Sequence, residues 1–142
     1  MKTTSEMASD LVEAAYNNDV ESVAKIVSLG VDINGEDAHT NPLHAAIESY
    51  ALDAIRMLAQ LGADLNWIEA RTGYHPLHHA LENEVGQYTE SDSLCAPNLE
   101  MTLLLLQLGA DPDALSRDGL SAKEFAKQIK HQPAVKLFAQ SE

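Results

Sequence analysis

Three segments of this chain spell nearly the same word. Residues 29–34 read LGVDIN, residues 61–66 read LGADLN and residues 108–113 read LGADPD. A second word precedes two of them, NPLHAA at residues 41–46 and HPLHHA at residues 75–80. The spacing recurs as well, because Leu43 to Leu77 is 34 positions and Gly30 to Gly62 is 32. A period in this range marks a repeat array. A unit that short cannot bury its apolar face alone, so the core closes only when neighbours stack.

The two PLH words, the three LG-x-D words and their common spacing resemble ankyrin repeats, and the likeness covers almost the whole chain. The resemblance implies an all-α solenoid of stacked helix-turn-helix units with short β-turn fingers, and protein binding rather than chemistry. Counting sets the register. Leu43 to Gly62 is 19 positions, and Leu11 to Gly30 is also 19, so residues 11–15 (LVEAA) stand where Leu-His-x-Ala-Ala would. A last unit opens at Asp118-Gly119-Leu120-Ser121-Ala122, similar to the family's Asp-Gly-x-Thr-Pro. We therefore expect one domain over residues 1–142, with repeats at about 7–36, 37–69, 70–115 and 116–140. In the family, the His after Pro-Leu bonds to the local turn and ties adjacent repeats. His44 and His78 take those positions here, while Asn41 and His75 replace the usual Thr before Pro.

Periodicity supports the helices independently. Leu11, Ala14 and Ala15 lie at helical spacing with Asp10 as N-cap, and Val20, Val23, Ile26 and Val27 follow the same 3–4 pattern. Leu52, Ile55, Leu58 and Ala59 form a stripe in the second repeat, and Leu99, Leu103 and Leu106 form one in the third. Gly30, Gly62 and Gly109 each follow a second helix, where a left-handed residue is wanted. Pro42 and Pro76 sit in a first turn, where a missing N–H costs nothing.

The third repeat departs from the period. Leu77 to Gly109 is 32 positions, 13 more than the 19 of its neighbours, so an insertion falls near residues 83–98. Gly86, the polar run at 89–93 and Pro97 should break a helix that ends near Val85 and resumes near Pro97 and Asn98. Insertions in repeat arrays map to loops and often belong to the binding surface, which singles out Tyr88, Glu90 and Asp92.

Charge narrows the partners. The chain carries 22 acidic and 9 basic residues among 142, a formal charge of -13. Residues 1–71 hold 12 acidic and 4 basic side chains, residues 117–142 hold 3 and 5, and residues 72–116 hold 7 acidic side chains with no Lys or Arg. Nucleic acids and anionic membranes need clustered cations, so neither is expected as a partner. A basic protein is. The single Cys95 excludes an internal disulfide and suggests a reducing, cytoplasmic setting. The polar N-terminus has no apolar core of a secretory leader, and the aliphatic run at 103–106 is too short for a membrane span.

Catalytic signatures are weak. The sequence has no nucleophile elbow, phosphate loop, zinc-protease helix or dinucleotide fingerprint. Nothing basic flanks Cys95 to lower its pKa. No cofactor or metal is expected, although His75, His78 and His79 raise a remote alternative of a metal-dependent enzyme. The resemblance implies a concave face built from turn tips and first helices. Carried over position by position, the partner-binding residues are Tyr16, Glu36, Asp37, His39, Glu48, Trp67, Glu69, Arg71, Tyr74, His79 and Glu82, joined by Tyr88, Glu90 and Asp92 of the insertion. We expect a non-catalytic module, monomeric when free. Its most specific role would be a small acidic inhibitor of the immunity or antitoxin kind, neutralising a basic toxin or nuclease; the alternative is a general adaptor or regulatory scaffold.

Overall fold

The computed structural model describes residues 2–37, 40–90 and 97–140. Among the described residues eight helices follow one another in four pairs: α1 (Thr4–Tyr16) and α2 (Val20–Ser28), α3 (Pro42–Glu48) and α4 (Leu52–Gln60), α5 (Pro76–Glu90) and α6 (Glu100–Leu108), α7 (Ala122–Gln128) and α8 (Gln132–Gln140). The described residues contain no strand. The first helices pack in one layer, α1 on α3, α3 on α5 and α5 on α7, while α2, α4 and α6 form a second. Between the layers, Leu11, Val23, Leu43, Ile47, Ile55, Leu58, Leu77, Leu81, Met101 and Leu105 make one continuous buried core. This is the helix-turn-helix solenoid implied by the repeat words.

Local chemistry explains most helix ends. Asn41 caps α3 by accepting the His44 N–H at 2.9 Å, and Pro42 occupies the first turn. Gly30, Gly62 and Gly109 follow α2, α4 and α6 at φ of 94°, 99° and 114°, the left-handed backbone that glycine adopts without a Cβ penalty. The start of α1 differs from expectation. Thr3, not Asp10, is the N-cap, and it forms a reciprocal capping box with Glu6. Asp10 lies inside the helix and pairs with Lys2 at 2.6 Å.

The recurring LG-x-D-x-N word has a mechanical meaning. Asp32 Oδ1 accepts the Asn34 N–H at 3.0 Å, and Asp64 Oδ1 accepts the Asn66 N–H at 2.8 Å, so each Asp folds its own turn. Each Asn then reaches forward. Asn34 Oδ1 accepts the Asp64 N–H at 2.8 Å, and Asn66 Oδ1 accepts the Asp111 N–H at 2.9 Å. The word is a ladder that ties one pair to the next. The fingers are closed by backbone bonds, from Asp37 N–H to Thr40, from Glu69 N–H to Tyr74 and from Ser116 N–H to Leu120.

The third pair corrects two expectations. Helix α5 runs through Gly86 to Glu90 rather than stopping near Val85. A glycine inside a helix costs only about 1 kcal/mol, and α5 is anchored on both sides of the turn before it. Asn83 Nδ2 donates to the Ile47 carbonyl at 2.9 Å, and the fully buried Glu84 accepts from Thr102 N–H at 3.0 Å and Thr102 Oγ1 at 2.7 Å. His131 of the α7–α8 connection also donates Nε2–H to Glu84 at 3.0 Å, while its Nδ1 accepts from Ala134 N–H at 3.2 Å. This buried knot sets the phase of α6. Met101, Thr102, Leu104 and Leu105 face inward, and Leu103, expected in the core, is 47% exposed. Residues 91–96 of the insertion lie outside the described residues. Among the described residues no helix is long and apolar enough to cross a membrane.

Candidate functional site

The first helices and fingers bring five of the expected residues into one cleft. Glu48, Arg71, Tyr74, His79 and Glu82 line a hollow of about 310 Å³ together with Thr72, Asn83, Gly86 and Gln87. Glu48 ends α3 and Glu82 lies one pair further on, so carboxylates from adjacent units converge. Both are exposed. Arg71 approaches Glu48 at 3.8 Å and Glu69 at 3.7 Å. The Tyr74 ring packs on Phe125 of α7 with centroids 5.3 Å apart. The Tyr74 hydroxyl bonds to Glu82, and that carboxylate, with partial burial, pushes the phenol up to about 12.

Other expected residues serve the fold. Glu69, placed on a turn tip by the repeat register, is fully buried. Its carboxylate accepts from Thr40 Oγ1, and from Thr72 Oγ1 at 2.9 Å. Burial pushes Glu69 up, but the Thr40 and Thr72 hydroxyls and nearby imidazoles outweigh it and hold the carboxyl below its ordinary value. Glu36 braces the next finger, accepting from Ala70 N–H at 2.9 Å and from Trp67 Nε1–H at 3.4 Å. Trp67 is accordingly half-buried against that finger rather than free. Glu36 and Asp37 line a separate cleft with Val31, Asp32 and Gly35. Tyr16 stands exposed on α1. His39 and Asp92 lie outside the described residues, as do the side chains of Tyr88 and Glu90.

The histidines divide differently from their order in the sequence. His44 Nε2 bonds to the Trp67 carbonyl at 3.0 Å and His78 Nε2 to the Leu120 carbonyl at 2.8 Å, each tying a first helix to the following finger. His75, His78 and His79 do not form a common donor set. His75 and His78 meet edge to face, with centroids 5.4 Å apart. His79, expected on the open face, is buried and turns to the preceding repeat, where its Nδ1 lies 2.9 Å from His44 Nδ1. The counterpart of His79 in that repeat is the small, buried Ala45. Burial drives His44 and His78 below the ordinary imidazole value and drives His75 and His79 to about 4. Among the described residues, the donor set able to hold a metal ion is His44, Glu69 and His79.

Sequence reasoning missed this trio, because its members are scattered over 36 positions in three elements. It also missed a hollow of about 560 Å³ between α1 and α2, lined by Met7, Ala14, Ile26 and Leu29 with charged residues around them.

Comparison with known proteins bears on most of the chain. The family model for ankyrin repeats (3 copies) matches residues 11–115. The chain is 34% identical over 109 residues to ankyrin repeat and SOCS box protein 6 of Homo sapiens, covering 75% of this chain and 24% of that protein. It is 30% identical over 99 residues to the B-cell lymphoma 3 protein homolog of Mus musculus, covering 70% and 19%. It is 30% identical over 117 residues to the BTB/POZ domain and ankyrin repeat-containing protein COCH of Pisum sativum, covering 82% and 21%. The chain thus spans about a fifth of the length of these relatives.

Proposed function

Because the chain belongs to the ankyrin-repeat family, we propose that it is a non-catalytic module that binds a basic protein through its first helices and fingers. The observation that carries this reading is the cleft in which Glu48 and Glu82, from adjacent units, converge beside Tyr74, Asn83 and Gln87. The cleft offers one guanidinium, Arg71, against two exposed carboxylates, and no Lys or Arg follows for 45 positions. An aromatic wall ringed by carboxylates suits a Lys or Arg side chain of a partner, and a charge of -13 speeds encounter with a basic surface. The specific role we favour is masking of that surface, as an inhibitor of the immunity or antitoxin kind would do. The module would act as a monomer in the cytoplasm, where the lone Cys95 stays reduced.

A second reading, an adaptor or regulatory scaffold, is favoured by the relatives' names, which join ankyrin repeats to a SOCS box or a BTB/POZ domain. Affinity purification from the source cell followed by an activity assay of the recovered partner separates the two. A basic partner whose activity is lost in a binary complex supports the inhibitor. A partner that stays active while a third protein joins supports the adaptor. Recovery of only acidic partners overturns the basic-partner reading.

A further inference from the structure

His44, Glu69 and His79 come from α3, from the finger after α4 and from α5, and one donor atom from each lies within 4.8 Å of the others. All three side chains are buried, His44 and Glu69 completely. The two imidazoles stack with centroids 5.2 Å apart and 26° between planes, so their Nδ1 atoms face each other at 2.9 Å. A carbonyl can only accept, so His44 Nε2, bonded to the Trp67 carbonyl, carries the hydrogen and Nδ1 keeps its lone pair. A metal-binding histidine is oriented in the same way, with its outer N–H on a backbone carbonyl. One proton, on His79 Nδ1, then fills the gap between the rings. Beside them stands the carboxylate of Glu69, steadied by Thr40 and Thr72.

We propose that His44 Nδ1, His79 Nδ1 and the Glu69 carboxylate form a binding site for a first-row divalent cation, zinc foremost. Two imidazoles and one carboxylate are a recurring set for zinc, which takes nitrogen at about 2.0–2.1 Å and oxygen at about 2.0–2.2 Å. Tetrahedral coordination at those lengths needs donors about 3.3 Å apart. The nitrogen pair must therefore open by about 0.4 Å and the carboxylate draw in. The ion takes the place of the shared proton, which moves to His79 Nε2. His79 also lines the cleft of Glu48 and Glu82, so one side of the site borders that cleft. Arg71, 3.7 Å from Glu69, is the opposing charge. It is half exposed and already reaches Glu48, so it can leave Glu69 to the ion.

The test is titration of the chelator-treated full chain with Zn²⁺ by calorimetry and with Co²⁺ by absorption, alongside NMR of the imidazole nitrogens. The proposal expects one ion per chain, a shift of both Nδ1 resonances on saturation and a rise in the melting temperature. His79→Ala should abolish binding, and Glu69→Gln should weaken it at least about tenfold. Ala already fills the equivalent position as Ala45, so His79→Ala should fold, and its melting temperature in chelator checks that. If the variant unfolds, the Nδ1 resonances of the unaltered chain decide. No binding, binding unchanged in a folded His79→Ala, or Nδ1 resonances that saturating zinc leaves unmoved would each overturn the site. None of these outcomes bears on the basic-partner reading.

Discussion

At the scale of single residues, position in a repeat does not decide exposure. Glu69 and Glu36 occupy finger positions that the repeat register assigns to the surface, yet one is buried under hydroxyls and the other holds the next finger. Two positions, Gly73 and His75, do show how little freedom the fold leaves. Gly73 sits at φ 74°, and a Cβ there would lie 2.8 Å from Arg117 Nε and 2.9 Å from Arg117 Cβ, while its carbonyl accepts the Arg117 N–H at 2.9 Å. Gly73→Ala therefore combines backbone strain with a clash between fingers, and should lower stability by about 2 kcal/mol or more, read as a drop in denaturant midpoint. The buried histidines make stability depend on pH. The His75 pKa is about 4 in the fold because of burial, whereas the imidazole of an unfolded chain titrates near its ordinary 6.5. Between those values the unfolded state binds the extra proton. The stability that His75 contributes is thus complete above about pH 6.5 and is lost as pH falls toward 4, by up to about 3 kcal/mol. Denaturation curves in chelator should show this acid limb, and His75→Asn should make it shallower, the other buried histidines supplying the rest. A variant that keeps the same slope would assign the limb to other groups.

At the scale of the element, the words visible in the sequence are the ones whose chemistry is local. NPLH, LG-x-D-x-N and the glycine after each second helix cap, turn or terminate within a few residues, so the spacing predicts them and the structure contains them. What was illegible depends on contacts between elements. The run Leu103 to Leu106 has no polar residue to fix its phase, and the bond from Thr102 to Glu84, 18 positions away, fixes it instead. Gly86 reads as a breaker because a polar run and Pro97 follow it, but α5 is held from outside by Ile47 and Thr102. His79 reads as a surface residue because nothing near it in sequence shows that it meets His44, 35 positions back. The Asn ladder supplies a prediction at this scale. Asn66→Ala removes the acceptor of the Asp111 N–H and should cost about 1 kcal/mol. Amide exchange should speed up at Asp111 while the Asp64 amide, held by Asn34, keeps its protection. Equal loosening of both amides would contradict a stack whose couplings run only between neighbours.

At the scale of the whole molecule, the charge of -13 acquires a distribution. Some acids are spent on the fold, Asp32 and Asp64 in turns, Glu36 between fingers, Glu84 in the core. Glu48 and Glu82 stay exposed, touched only at the surface by Arg71 and by the Tyr74 hydroxyl, and they share one cleft with Tyr74. That difference between buried or bracing carboxylates and exposed ones is the basis for reading this face as a dock for a basic protein. Glu69 drops out of the set, since reversing a buried carboxylate tests folding rather than binding. The most direct test is the affinity of the purified cellular partner for the unaltered chain and for the double variant Glu48→Lys, Glu82→Lys, measured across a range of salt concentrations. The variant should melt within a few degrees of the parent, bind at least about a hundredfold more weakly at low salt and lose most of the salt dependence. Equal affinity of the two proteins, with the same response to salt, would contradict it.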